Sequence, residues 1–536
     1  MKLTFIGADH EVTGSCHYLR AAGKNILVDY GMEQGKNVYA NAEFPIPYAD
    51  VDYIFITHAH IDHTGLLPLI YSRGFRGQIF ATQATCDLCK IMLLDSAHIQ
   101  EMEAEWKNRK ARRAGRAEVP PLYTINDADG VLKQFVPCHY GDILTITSGL
   151  KVRFTDVGHL LGSASIEMWL EEGETSKKIV FSGDIGNKNK PLIKDPSFVE
   201  DADYVVMECT YGDRSHDRTH EHIEELASIL QDTLDRGGNL VIPAFAVGRT
   251  QEILYFMRKI KEEGLVSGHD GFEVYVDSPL AVEATHVFNK NISECFDAEA
   301  MDLVSRGINP ITFPGLKLSV TSEDSKAINF DERPKVIISA SGMCDAGRIR
   351  HHLKHNLWRP ECTVLFAGYQ AVGTLGRTLV DGTDSVRLFG ETIDVKAHIE
   401  QLDGISGHAD REGLIEWLRA LKNKPERVFL VHGDDLVCTR FAELLRTEYG
   451  YETDAPFSGS EFDLAEGQWL KKTVGIPIKE ETEKQKRNRT IFELLVAAGE
   501  RLLRVIQKNR ESTNKDIKKF TEEVNALCDK WDTGDN

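Results

Sequence analysis

Five times along this chain a short apolar or β-branched run ends in a small polar cluster, and an amphipathic helical segment follows. IFIT leads to HAHIDH and GLLPLIYSRGF, NLVIPAFAV to GRTQ and EILYFMRKIKEE, and FEVYV to DSP and LAVEATHVF. KVIISA leads to SGMCDAGR and IRHHLKHNL, and RVFLV to HGDD and LVCTRFAELLRTEYG. A strand-like run followed by a helical pattern marks an α/β unit. Such units pack as layers of helix and sheet. Their polar clusters then gather at the carboxyl ends of strands, where α/β sheets bind ligands.

The beginning of the chain reads differently. KLTFIG, CHYLRAAG, NILVDYG, LKVRFTDVGH and KKIVFSGD look like short strands joined by turns, which predicts a β-rich half packed with helices. Residues 90–135 read as a charged helical excursion from the sheet. Beyond Lys471, Phe492, Leu495, Val496, Leu502, Leu503 and Ile506 recur at helical spacing, so a helical C-terminal appendage is expected. A chain of 536 residues exceeds one ordinary core, and two or three domains are expected.

Hydrophobic content of 42% and charged content of 27% are those of an ordinary globular protein. No apolar run reaches the ~18 residues of a membrane-spanning helix. The N-terminus reads as a strand running into a turn and lacks the pattern of a signal peptide. Ten cysteines without regular spacing fit reduced thiols, and a cytoplasmic location is expected. A net charge of −20 disfavours a polyanionic partner in general, but the field at a local site outweighs the total. The basic runs at 107–116 and 484–489 are expected to be solvated helix faces.

The densest chemistry lies in THAHIDHTG, Thr57 to Gly65. His58, His60, Asp62 and His63 follow an apolar strand on what should be a loop. Neutral imidazole and carboxylate are ligands that Zn²⁺ accepts. A loop can turn His58 and His60 toward one metal and Asp62 and His63 toward another. Four ligands cannot complete two sites. His159 in TDVGHLLGSAS, Asp184 in VFSGDIG and His432 in FLVHGDD each follow a strand and sit beside glycine, which lets backbones approach closely. Taken singly, each such residue is more often structural than a ligand.

Together these residues resemble the metallo-β-lactamase superfamily, whose signature is HxHxDH followed by a distant His, Asp and His. Asp29 in ILVDYG matches its first motif. The chain resembles in particular the β-CASP branch of RNA- and DNA-processing nucleases, which includes the endonuclease subunit of the eukaryotic cleavage and polyadenylation factor. ECTYGDR (with Glu208), SGHAD (with His408) and LVHGD (with His432) match the three β-CASP motifs. PAFAVGRTQE, DSPLA, SASGMCDAGR and GYQAVGTLGR are of the type seen there. The resemblance spans roughly residues 1–470.

The resemblance implies an αββα metallo-β-lactamase fold, of α/β class, from 1–210 and 380–470. It also implies an inserted α/β β-CASP domain at 211–379, with a helical extension at 471–536. It implies two Zn²⁺ ions. One is held by His58, His60 and His159, the other by Asp62, His63 and His432, with Asp184 between them and Asp29 orienting a ligand from behind. It names Asp62, Glu208 and His408 as catalytic, with His408, backed by Glu208, protonating the leaving oxygen. It implies a zinc-dependent ribonuclease acting on single-stranded RNA, by endonuclease or 5′-exonuclease cleavage or both. A homo-oligomer is left open. Ser341, at a strand-to-helix turn, and Arg249 and Arg377, in glycine-flanked turns, are candidate phosphate contacts.

Other clusters attract less weight. Cys86 and Cys89 have CxxC spacing without a second pair and are expected to pack. The histidines of 351–355 are expected no nearer than the edge of a substrate groove, and those of 216–222 at a helix start. Three rival functions remain. A small-molecule hydrolase of the same superfamily fits poorly with some 250 residues between Asp184 and His432. A DNA-directed β-CASP nuclease would carry valine where His432 stands. A non-catalytic scaffold would have lost ligands that are all present here.

Overall fold

The computed structural model describes residues 1–35, 37–113, 115, 117–215, 222–371, 373–402, 404–478, 499, 502–503, 505–506 and 514–531. It divides into two compact units. One comprises Met1–Ala97 with Ile125–Pro477, the other His98–Thr124 with Ile478–Asn536.

The first unit is built on three main sheets. An eight-stranded sheet runs in the order Gln468–Lys471, Glu461–Asp463, Lys2–Gly7, Cys16–Ala21, Lys24–Val28, Tyr53–Phe55, Gln78–Thr82 and Phe135–Cys138. A seven-stranded sheet follows the order Thr453–Asp454, Arg427–Val431, Tyr204–Glu208, Thr175–Phe181, Ala164–Glu172, Leu150–Asp156 and Leu144–Thr147. Leu3, Phe5, Leu19 and Phe55 of the first sheet share one core with Phe154, Ile166, Met168, Phe181 and Phe429 of the second.

Strand period decides what covers the other face of the second sheet. Tyr204 and Val206 join the inter-sheet core, whereas Val205 and Met207 pack with Leu414, Trp417, Leu418, Phe441 and Leu445. Those residues come from the helices Arg411–Arg419 and Asp435–Thr447. The central strands of this sheet are covered on both sides, hence VVM and VFL read as unbroken apolar runs. This is the layered αββα arrangement expected from the sequence.

The third sheet is wholly parallel and has six strands: Leu316–Ser319, Glu273–Asp277, Lys335–Ser339, Leu240–Pro243, Thr363–Phe366 and His398–Gln401. Parallel pairing requires crossover helices, and the sequence supplies them in the strand–helix units quoted above. Its last strand lies past residue 379, where the sequence reading ended the inserted domain. His398–Gln401 is a short edge strand, and the antiparallel hairpin of Ser385–Leu388 and Glu391–Asp394 precedes it. HIEQ carries little apolar signal because only one side of it is paired.

The charged stretch 90–135 is helical as expected, in the helix Gln83–Arg113, which starts seven residues earlier, and in Ile125–Leu132. In the second unit Lys107 pairs with Glu103 and Arg109 with Glu105, one helical turn apart and exposed, as a solvated face should be. Asn514–Trp531 is helical. The basic run at 484–489, with Phe492, Leu495 and Val496, lies outside the described residues, as do His216 and His220. Among the described residues no helix is long and apolar enough to cross a membrane. All ten cysteines are free thiols. Cys89 is buried and Cys86 partly so, both on the helix Gln83–Arg113, which fits their packing role.

Candidate active site

The site lies at the carboxyl ends of strands of the two sandwiched sheets. Tyr53–Phe55 leads directly to His58 and His60, and the single turn Ile61–Thr64 then presents Asp62 and His63. That turn is held against the neighbouring strand end, where Ser15 N donates to the Asp62 carbonyl at 2.8 Å. Gly31 makes the approach possible, because a Cβ there would stand 1.6 Å from the same carbonyl oxygen. His159 and Asp184 sit on loops that cross equally closely. A Cβ on Gly186 would stand 1.9 Å from the Gly158 carbonyl oxygen.

All seven sequence-predicted ligands meet here, in two groups. His58 Nε2 lies 3.0 Å from His60 Nδ1, and His159 Nε2 lies 3.3 Å from the same atom. Asp184 Oδ2 faces this group, 3.4 Å from His58 Nε2 and 3.5 Å from His159 Nε2. On the other side His63 Nε2 and His432 Nε2 are 3.3 Å apart, and Asp62 Oδ2 is 3.6 Å from His432 Nε2. Asp184 Oδ1 faces this second group at 3.3 Å from His63 and 3.6 Å from His432. One carboxylate thus divides the cluster, one oxygen to each side.

The other nitrogen of several rings is fixed by the protein. His63 Nδ1 is 2.7 Å from Asp29 Oδ2, and Asp29 also accepts from Thr57 N and Thr57 Oγ1 at 2.8 Å each. His159 Nδ1 donates to the Gly407 carbonyl at 3.1 Å. His432 Nδ1 lies 3.1 Å from Thr210 Oγ1. Such contacts set the ring orientation that a metal ligand needs. Sequence reading found Asp29 but missed Thr57, Thr210 and the Gly407 carbonyl, although all three lie inside motifs it quoted. Asp29 (φ 59°) and His432 (φ 50°) both adopt the left-handed backbone region, uncommon outside glycine. Main-chain hydrogen bonds hold them there, from Asp29 N to Phe55 O at 2.9 Å and from His432 N to Ala8 O at 2.7 Å.

The electrostatics suit a cation. Burial drives His58 and His159 well below the usual histidine range and takes His60 down to about 4, so these imidazoles are neutral and have a lone pair to offer. Burial opposes charge on Asp184 too, but the surrounding histidines hold it ionised. Asp184 Oδ1 is buried and accepts no hydrogen bond. A buried carboxylate oxygen needs a positive neighbour. Burial works against charge on His63 and His432, but Asp184 raises the pKa of both, so protons crowd this oxygen where a metal ion would replace them. The donor set of five imidazoles and two carboxylates is one that zinc takes. The residues therefore fit a metal.

His408 stands beside this cluster without joining either group of three. Its Nδ1 lies 3.1 and 3.2 Å from the two Glu208 oxygens and 4.0 Å from Asp184 Oδ2. Burial works against its charge, but Glu208 and Asp184 outweigh burial and push its pKa up to about 9. Glu208 is fixed in turn, accepting from Ile185 N at 2.6 Å.

The phosphate candidates each have a partner within the protein. Ser341 N and Oγ both donate to the Ala346 carbonyl, at 3.3 and 3.2 Å. Arg377 pairs with Asp381 at 2.7 Å on the surface. Arg249 donates to Glu252 at 2.5 Å and to the Ile405 carbonyl at 2.7 Å. His352 is buried against Asp277 at 2.6 Å, remote from a ligand role, and His351 stacks on Phe389.

Comparison with known proteins finds relatives across most of the chain. The model of the Beta-Casp domain matches residues 250–379, and that of the Zn-dependent metallo-hydrolase RNA specificity domain matches 392–456. The model of the Anti-Pycsar protein Apyc1 matches 1–236. The chain is 36% identical over 448 residues to "Ribonuclease TTHA0252" of Thermus thermophilus, covering 83% of this chain and 96% of that protein. The chain belongs to the β-CASP branch of the metallo-β-lactamase superfamily. Two further relatives of this β-CASP protein are named "Transcription termination factor FttA". The one from Methanocaldococcus jannaschii is 31% identical over 471 residues, covering 85% of this chain and 71% of that one. The one from Methanosarcina mazei is 30% identical over 475 residues, covering 85% and 70%. This β-CASP protein is a metal-dependent hydrolase.

Proposed function

We propose that the protein is a zinc-dependent ribonuclease that hydrolyses phosphodiester bonds of single-stranded RNA in RNA processing or decay. Endonuclease and 5′-exonuclease cleavage both fall within this reading. The observation that carries it is Asp184, with one oxygen facing His58, His60 and His159 and the other facing Asp62, His63 and His432. Those two sets, with Asp184 between them, would hold two zinc ions. When bound, the ions lower the pKa of water toward ~7 and offset the charge that develops on the phosphate.

The protein's own groups do the rest. Asp29 fixes His63 so that Nε2 points into the site. Glu208 holds His408 Nδ1, and His408 gives the proton on Nε2 to the leaving oxygen. Buried His58, Asp184 and Glu208 place the chemistry at a depth that a single strand reaches more readily than a duplex. The relative named as a ribonuclease, and the family model named for RNA specificity, support RNA as the substrate. The free thiols fit the cytoplasm.

The test compares a single-stranded RNA with the same strand carrying one deoxyribose beside the scissile bond, at equal salt because backbone binding varies steeply with ionic strength. Slower cleavage of the substituted strand is expected, since the 2′-hydroxyl is what distinguishes the two polymers. Equal rates on the RNA, the substituted strand and matched DNA would contradict the assignment.

A further inference from the structure

Outside the ligand shell lies a buried ion triad that the chemistry above does not use. Glu252, on the helix Arg249–Glu263, is buried. Its Oε2 accepts from Arg249 at 2.5 Å, and its Oε1 lies 3.5 Å from Lys190 Nζ. Each cation spends a further donor on a main-chain carbonyl. Lys190 Nζ reaches His159 O at 2.6 Å, and Arg249 Nη2 reaches Ile405 O at 2.7 Å.

The two carbonyls belong to different loops of the site. One is that of His159 itself, and the other lies just before His408. These loops also touch directly. His159 Nδ1 donates to Gly407 O, and the His159 and His408 ring centroids are 4.6 Å apart. Lys190 comes from a third loop, the one following Asp184, which pairs with the His408 loop through Ala409 N and Ile185 O at 2.7 Å. One carboxylate on the helix that follows strand Leu240–Pro243 of the third sheet therefore organises two cations, and through them three loops.

We propose that Glu252 is a positioning residue. With Lys190 and Arg249 it sets the spacing between His159 and His408. This rests on the reading of His159 as a ligand and His408 as proton donor. A buried ion triad is not in itself a source of stability, and well-packed apolar residues of similar volume often serve as well or better. What the charges add is direction, because charge-assisted hydrogen bonds to two carbonyls fix where those loops stand.

That contrast supplies the test. The triple substitution Lys190→Met, Arg249→Met, Glu252→Met keeps volume and removes all three charges together. Glu252→Gln is the second variant, should the triple variant not fold. In the metal-free protein, hydrogen exchange of amides in 158–163 and 405–409 should accelerate in the variant while the remaining sheets keep their protection. In the zinc-loaded protein, one of two zinc equivalents should leave to a chelator on the order of 10-fold faster. On a short oligoribonucleotide kcat should fall on the order of 10–100-fold with KM changed far less. Unchanged exchange in both loops, with parental zinc release and kcat, would overturn the proposal. The exchange readout needs neither metal nor turnover. A parent protein that binds no zinc would refute the metal reading and leave the loop result to judge Glu252.

Discussion

The metal cluster and the loops at the carboxyl edge of the third sheet both gather polar side chains from sequence motifs, yet they end in opposite states. Around Asp184 five imidazoles converge and a buried carboxylate oxygen accepts no hydrogen bond. Around Ser341, Arg249 and Arg377 the polar groups are taken up by the protein itself, on Ala346, Glu252, Ile405 and Asp381. A site built for a strongly bound group aims its donors at one another across a common centre. A loop whose donors are already paired mainly holds shape, and it can meet substrate only by exchanging those partners.

Metal removal should break this comparison most sharply. Stripping zinc with a chelator should bring turnover to background, and re-addition should restore it, as measured on a labelled oligoribonucleotide. His408→Ala comes next. It should keep its zinc and lose turnover on the order of 10²–10⁴-fold. A bis-ester with a nitrophenolate leaving group, which needs no proton, should be nearly spared.

The same histidine gives a pH signature. Its raised pKa means that the proton is held through neutrality and lost as pH rises. The rate should therefore fall on the alkaline side, at or below about pH 9 because bound cations favour the neutral ring. His408→Ala should lack that alkaline fall in a pH–rate profile.

Asp29→Asn should retain the fold and weaken zinc binding or turnover by about 10–100-fold, as measured by competition with a chromophoric chelator. The smallest effects belong to the satisfied loops. Arg377→Ala breaks only an exposed pair and should change stability by less than ~1 kcal/mol in urea unfolding. For Ser341→Ala the same reasoning predicts KM within a few-fold of the parent.

The metal half of this comparison was legible in the sequence because its residues are rare, closely spaced and fixed to strand ends. THAHIDHTG alone offered four of them, strand–Gly contexts made His159, Asp184 and His432 candidates, and the resemblance to the family assigned them. Strand runs such as KLTFIG and KKIVFSGD showed a β-rich half, and the resemblance to the family supplied the sandwich. What escaped was relational. Thr210 becomes a partner of His432 only once Tyr204–Glu208 and Arg427–Val431 pair side by side. Lys190 and Glu252 meet only when the third sheet docks, and no local pattern marks a lysine that will reach a distant carbonyl. The strand His398–Gln401 was missed because a short polar edge strand has no alternation to read. The glutamate three residues after Arg249 stands in the same quoted stretch, but the Ile405 carbonyl that Arg249 also reaches has no local signal.

The most direct test of the account is anomalous scattering at the zinc edge from a crystal of the zinc-loaded protein. It should show two peaks per chain. One should stand among His58, His60 and His159, the other among Asp62, His63 and His432, with Asp184 between them. A single peak would contradict the division of the cluster by Asp184, and a peak among Asp184, Glu208 and His408 would make His408 a ligand and remove it as the proton donor.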